Sequence, residues 1–444
     1  MIRIGSGAGF AGDRLEPAVV LAERGDIRYL GLECLAERTI ALAQLRKLKD
    51  PGEGYDPMLL RRMELLLPVI KRRGVRVISN MGAANPVAAA EAVLGVARRR
   101  GLTLKVAAVT GDDVLAALRP EDRILETGGK VGDYSWLVSA NAYLGADALL
   151  PALASGADVI LTGRVADPSL FLAPAVHELG WDPADTERLA AGTVMGHLLE
   201  CAGQATGGYF ADPGVKDVPD FAHLGFPWAE IGADGRFVLG KPEGTGGRID
   251  LMTVREQLLY EVTDPRAYVT PDVVADFTTV RIAQAGRDRV SVSGASGYPR
   301  PATLKASIGY HAGYVGEGEI GYAGPNALAR ARLAGETVRD RLAGEFRELR
   351  VDLIGCDSLH GKAFRAAAEP YEVRLRVAGR ATLREKAELI GEEVEALWTN
   401  GPAGGGGARK YVREQVGVVS TLIERERVRP QLTVKETRGE KALV

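Results

Sequence analysis

The sequence predicts an α/β protein. A parallel, helix-flanked sheet in three layers is expected over residues 1–274. A smaller α+β, ferredoxin-like antiparallel domain follows over 275–432, and 433–444 is read as a frayed tail. Three observations predict this. Short continuous apolar runs recur in the first half, "VRVIS" (75–79), "LKVAAVT" (104–110) and "ADVILTG" (157–163), as strands buried on both faces require. Segments with helical apolar spacing lie between them, so crossovers and a parallel sheet follow. Near residue 270 the pattern changes to apolar–polar alternation, which suits antiparallel strands with one covered face.

The first element is the strand that runs into "RIGSGAGFAGDR" (3–14). Gly7, Gly9 and Gly12 match G-x-G-x-x-G, and Glu33 ends the next strand about 20 residues later, as in dinucleotide folds. The next helix spoils that fit. It starts near Pro17, about one turn too late for its N–H groups to meet a pyrophosphate. The better reading is a glycine loop at the strand's C-terminal end, delivering Asp13 and Arg14 to a ligand. Alternatively, Asp13 caps the helix and Arg14 pairs with it.

In 58–73, Leu59, Met63, Leu66, Leu67 and Ile70 share one helical face. In 85–100, Asn85 is a ready N-cap and Pro86 sits where a missing N–H costs nothing. Gly74 and Gly101 end these helices. "SNMGAANP" (79–86) therefore leaves a strand and enters a capped helix, with Asn80 at the turn and an anion site as one reading. In "LTGRVADPSLF" (161–171), Arg164 follows a strand end and suits a carboxylate or phosphate. Asp167 is read as a helix cap first and as a general base second.

"HLLECAGQATGG" (197–208) sets His197 and Cys201 four apart, with Glu200 at i+3. A metal pair is one reading and a core histidine the other, and the core histidine is preferred. Gln204 can supply neutral hydrogen bonds. "KPEGTGG" (241–247) is a second glycine loop, in which Lys241, Thr245, Gly246 and Gly247 suit a phosphate or carboxylate. Residues 205–250 carry little periodicity and read as a long functional loop or lid.

Beyond 270, "TTVRIAQ", "RVSVSG", "KASIGYH", "LRVDLIG" and "YEVRLRVAG" alternate, interrupted by helices at 325–345 and 382–398. From 303 the order is strand, helix, strand, strand, helix, strand, the split β-α-β unit. The glycines of "WTNGPAGGGGARK" (398–410) read either as a flexible linker or, as is preferred because strand-like residues resume at Val416, as an ordered loop with Arg409 and Lys410 beside it for anion contact.

Composition limits the function. With 46% apolar and 26% charged residues in 444, a normal core is available. A net charge of −2 without a basic stripe argues against nucleic acid. The three cysteines, Cys34, Cys201 and Cys356, show no C-x-x-C spacing and fit a reducing cytoplasm. No signal core and no 18-residue apolar run is present, so a membrane role is not expected. Neither G-x-S-x-G nor a P-loop G-K-[ST] occurs.

The ordered set GSGAGFAGDR, SNMGAANP, LTGRVADPSLFL, ECAGQATGG, KPEGTGG, TVREQLLYEVTDP, PDVVADF and NGPAGGGG resembles the acyclic terpene utilisation protein A family over almost the whole chain. The resemblance implies a catabolic, cytoplasmic protein found with acyl-CoA enzymes, including those of citronellol and geraniol breakdown. It implies a pathway context, not a reaction.

Together these point to a lyase or hydrolase acting on a carboxylate or acyl-CoA thioester by acid/base chemistry. Asp13 and then Asp167 are the expected bases. Arg14, Arg164 and Lys241 would hold the anionic end. Gly7, Gly9, Asn80, Gln204, Thr245, Gly246 and Gly247 would complete the contacts. No metal and no resident cofactor is expected, CoA entering only as part of the substrate, and the protein is expected to be a homo-oligomer. The alternatives are a dinucleotide-dependent oxidoreductase and a non-catalytic assembly partner of acyl-CoA enzymes.

Overall fold

The computed structural model describes residues 1–361 and 369–437. Met1–Gly309 and the chain from Val418 onward form one compact unit, and Tyr310–Gly417 a second.

The first unit opens with β1 (Ile2–Ala8), α1 (Glu16–Arg24), β2 (Tyr29–Leu32), α2 (Glu37–Lys49) and α3 (Leu59–Arg73). Next come β3 (Arg76–Ser79), α4 (Pro86–Arg99), β4 (Lys105–Thr110) and β5 (Leu137–Ala142). Then follow α5 (Leu150–Ala154), β6 (Val159–Thr162), α6 (Ser169–Leu179) and α7 (Thr186–Glu200). β1, β2, β3, β6 and β4 lie side by side in that order, all parallel. The continuous apolar runs have a direct cause in β2. Leu30 and Leu32 share a core cluster with Ala18 and Leu21 of α1, while Gly31 on the other face lies under the ring of Phe171 on α6. Alternate residues point to opposite faces, so a strand covered on both has no polar position to spare. The helix ends follow local chemistry too. Asn85 caps α4 by accepting from the Ala88 N–H, and Gly74 closes α3 at φ 69°.

Antiparallel strands extend this sheet. β7 (Trp228–Ile231) and β8 (Phe237–Gly240) form a hairpin beside β1. After α8 (Leu251–Leu259), β9 (Tyr268–Val269) and β10 (Val274–Asp276) come β11 (Arg281–Gly286) and β12 (Arg289–Ser293). β12 pairs with β8, and β11 with β12. The expectation that alternation past residue 270 opens a new domain is therefore corrected: β11 and β12 complete the first sheet. Alternation reports one exposed face, and an edge strand of a large sheet has that as well. β13 (Ser296–Tyr298) makes a small sheet with β10 and β9.

The unit division falls within two long strands, β14 (Thr303–Ala323) and β17 (Gly406–Glu424). Inside the second unit, β14 is followed by α9 (Ala327–Arg341), β15 (Leu349–Ile354), β16 (Glu372–Ala381), α10 (Arg384–Asn400) and β17. The sheet order is β15-β16-β14-β17, with β16 antiparallel to both β14 and β15. Its core joins Ile320, Tyr322, Leu375 and Val377 to Ala331 and Val338 of α9 and Ile390 and Val394 of α10. Lys410 is ion-paired with Glu395 at 2.6 Å, and Arg330 donates to the Ala403 carbonyl in the glycine loop.

The last strand, β18 (Gln431–Glu436), pairs antiparallel with β4 along its whole length. Residues 433–436 are thus sheet rather than frayed tail, and 438–444 lie outside the described residues.

Candidate active site

Each of the five parallel strands ends in polar residues at its carboxyl end. Asp13 follows β1, Glu33 follows β2, Asn80 follows β3, Asp112 follows β4, and Arg164 and Asp167 follow β6. Open parallel sheets bind ligands at this edge. A cavity of about 940 Å³ lies there, lined by Gly9, Asp13, Arg14, Glu33, Arg164 and Asp167, and by Glu200, Cys201 and Gln204 from the end of α7. Phe10, Leu35, Phe221, Leu224 and Phe226 give it apolar walls.

The first glycine loop is built for close approach within the protein. Gly7 lies inside β1, where a Cβ would meet Leu32, Ala18 and Leu30. At Gly9 a Cβ would sit 2.5 Å from the Cys201 carbonyl carbon. The Asp13 carboxylate accepts from Gly9 N at 2.6 Å and Phe10 N at 3.3 Å. Those are the N–H groups that a dinucleotide phosphate would need. Burial lifts the Asp13 carboxyl, against those two bonds. Asp13 is not the cap of α1, because Leu15 occupies that position. Arg14 does face the cavity, half-exposed, donating to the Ala222 carbonyl at 2.6 Å and pairing with Glu16.

Asn80 does not line the cavity. It is fully buried, accepts from Cys34 N at 2.8 Å and donates to Glu33 at 2.9 Å. Glu33 also accepts from Leu35 N at 2.9 Å. Asn80 thus aims Glu33.

Arg164, expected to bind ligand, has only 1 % exposure, and its bonds go to the protein. Its fork donates to the Leu35 carbonyl and to Asp167, and its face stacks on Tyr143 at 4.4 Å. Its main-chain N–H donates to Asp112 at 2.8 Å. The Tyr143 hydroxyl donates to Glu37. Against its burial, that bond and the charge of Arg164 hold Glu37 down at about 2. Asp167, read first as a helix cap, makes no cap: Pro168 precedes α6 without a side-chain bond. Burial raises Asp167 to about 7 although Arg164 opposes it. Burial also pushes Glu33 well up, and the charge of Asp167 adds to that. At Asp167 the charges of Glu200 and Glu37 act in the same direction as burial, so the acids gathered here favour holding protons.

Glu200, the last residue of α7, also lines the cavity. Its Oε1 lies 2.7 Å from Nδ1 of His197, whose Nε2 is 2.9 Å from the Gln257 carbonyl. His197 is thus a core histidine, and no group of His, Cys, Asp and Glu that could hold a metal occurs among the described residues. Gln204 donates to Gln257 at 3.1 Å.

Lys241, Thr245, Gly246 and Gly247 lie outside the cavity lining. Lys241 is buried, donates to the Thr245 carbonyl at 2.8 Å and lies 3.4 Å from Asp288. Gly246 N and Gly247 N donate to the His223 and Pro219 carbonyls. This loop holds the 219–225 segment, and that segment carries Phe221, Ala222 and Leu224 into the cavity wall. The cluster of Asp13, Arg14, Arg164 and the 244–247 loop expected from sequence thus loses the loop.

The sequence suggests Glu200 only as a neighbour of a candidate metal pair, and Glu33 only as a ribose ligand. The His197–Glu200 spacing of i, i+3, one helix face, was the available signal. Nothing in the sequence pairs Asn80 with Glu33.

No curated protein and no solved structure matches the chain. A family model described as "Acyclic terpene utilisation family protein AtuA" matches residues 2–434, nearly the whole length. The chain therefore belongs to the acyclic terpene utilisation family AtuA.

Proposed function

We propose that this chain is a catabolic enzyme that transfers protons on an acyl-CoA thioester or carboxylate, in an addition–elimination or hydrolytic reaction. The observation that carries this reading is the carboxyl pair Glu33 and Asp167 in the cavity, held by Asn80 and Arg164. A carboxyl raised to about 7 both gives and takes a proton near neutral pH, the condition for general acid/base catalysis. Asp167 is the proton-transfer group, and burial together with the charges of Glu200 and Glu37 raises its proton affinity. Arg14, whose contacts to the Ala222 carbonyl and Glu16 are solvent-exposed and exchangeable, is the cation suited to hold an anionic end, whereas Arg164 and Lys241 are buried in theirs. The apolar walls suit a branched hydrocarbon chain, in keeping with the family. Asp13, first choice from sequence, is here a loop-shaping residue.

Solvent exchange tests the reading. The protein is incubated in D2O with saturated and unsaturated branched acyl-CoA thioesters and their free acids, and deuterium uptake on carbon is followed by mass spectrometry. Uptake by at least one class, reduced about a hundredfold or more in Asp167→Asn, is expected. No uptake or product across the panel would overturn it.

A further inference from the structure

We infer that Glu200 and His197 form a second proton-transfer group of this cavity, with Glu200 touching substrate and His197 positioning it; the inference rests on the proposed function. The geometry determines where the protons are. A carbonyl oxygen only accepts, so Nε2 of His197, 2.9 Å from the Gln257 carbonyl, carries a hydrogen. At 2.7 Å, Nδ1 and the Glu200 Oε1 cannot face each other with bare lone pairs, so one proton lies between them. The imidazole cannot turn. Gln257 donates back to the His197 carbonyl at 3.1 Å, and the ring packs against Tyr268 and Phe277, at 5.2 and 5.3 Å, in a cluster of three rings.

The other carboxylate oxygen, Oε2 of Glu200, is buried and has no hydrogen-bond partner in the protein. A desolvated acceptor beside a cavity is costly unless something else supplies the hydrogen. A substrate C–H or hydroxyl is the matching group. In the step, Oε2 takes a proton from substrate carbon, the C–H electron pair stays on the substrate as an enolate, and the shared proton remains with His197. The reverse step returns a proton to carbon. The substrate class is an acyl compound with an acidic C–H next to an uncharged carbonyl. A free carboxylate is disfavoured, because Asp13, Glu33, Glu37, Asp167, Glu200 and Glu261 already line the cavity. Asp167, Cys201 and Tyr268 are titratable neighbours of Glu200, its dyad partner His197 apart, and Glu33 and Glu261 share the cavity lining with it.

Two measurements test the dyad. In the exchange assay, Glu200→Gln is expected to lower deuterium uptake about a hundredfold or more, while Glu200→Asp retains part of it. His197→Gln is expected to lower kcat with KM unchanged. Full uptake in Glu200→Gln would overturn the dyad and leave the Asp167 reading standing. The second measurement needs no substrate or variant: nitrogen-15 spectra of the His197 ring in the wild-type protein. A protonated Nε2 with a strongly shared proton at Nδ1 supports the dyad. A bare Nε2, or an Nδ1 signal without a shared proton, would overturn it even if no thioester exchanges.

Discussion

Arg164 remains charged at 1 % exposure because the Leu35 carbonyl, the Asp167 carboxylate and the Tyr143 ring share it. Arg164→Met leaves the Leu35 carbonyl without its donor, while the Asp167 side chain, 37 % exposed, can turn to water. A loss of about 1–3 kcal/mol in denaturant titration is expected; an unchanged stability would show that the fork is dispensable. The buried acids make a second prediction. Burial raises Asp112 and Asp272 to about 6; Asp167, raised to about 7, has a side chain 37 % exposed, and solvent screening weakens its share. In the unfolded chain each returns to about 3.9. Above about pH 4 the unfolded chain has released these protons while the folded protein still holds them, so stability falls as pH rises to about 7 and then levels. Glu37, held at about 2, acts only in acid: its contribution is lost as pH falls below about 4. Melting temperature should therefore decline from pH 5 to pH 7, with a shallower slope in Asp272→Asn. A rising curve over that range would contradict the assigned shifts.

At the scale of the element, the β1–α1 loop shows how a motif misleads. G-x-G-x-x-G was visible, but its glycines admit Cys201 and the side chains of α1 and β2 rather than phosphate. Arg62, buried on α3, donates to the Ala11 and Asp13 carbonyls and holds the loop in place. Gly9→Ala should push the loop off the end of α7. We expect about 1–3 kcal/mol of destabilisation, the range for overpacking, together with altered cavity access. Thermal melts and quenching of tryptophan emission would register it, and a wild-type melting point would mean that the loop simply shifts. The helices were more legible. Asn85, Pro86 and Gly74 act through bonds within a few residues, so caps could be read directly.

On the scale of the whole molecule, β18 joins the end of the chain to β4, and Thr437 bonds Leu104 333 residues away. Ending the chain at Arg429 would expose the β4 edge. A lower melting temperature and faster aggregation are expected, and light scattering on heating would test this. The same strand separates what was readable from what was not. The sequence by itself determined the parallel strands, the helices between them and their caps, because burial on two faces and local hydrogen bonding leave patterns within a few residues. It also marked Asp13, Arg14, Arg164 and Asp167 as lying just past strand ends. Only the tertiary structure decided that β11, β12 and β18 join the first sheet, because a polar-alternating strand pairs equally well with any open edge. Only it decided that Arg164 serves Asp167, that Asn80 aims Glu33 and that His197 backs Glu200. Each of these roles depends on which side chain a distant segment brings within hydrogen-bond range, and spacing along the chain carries no record of that.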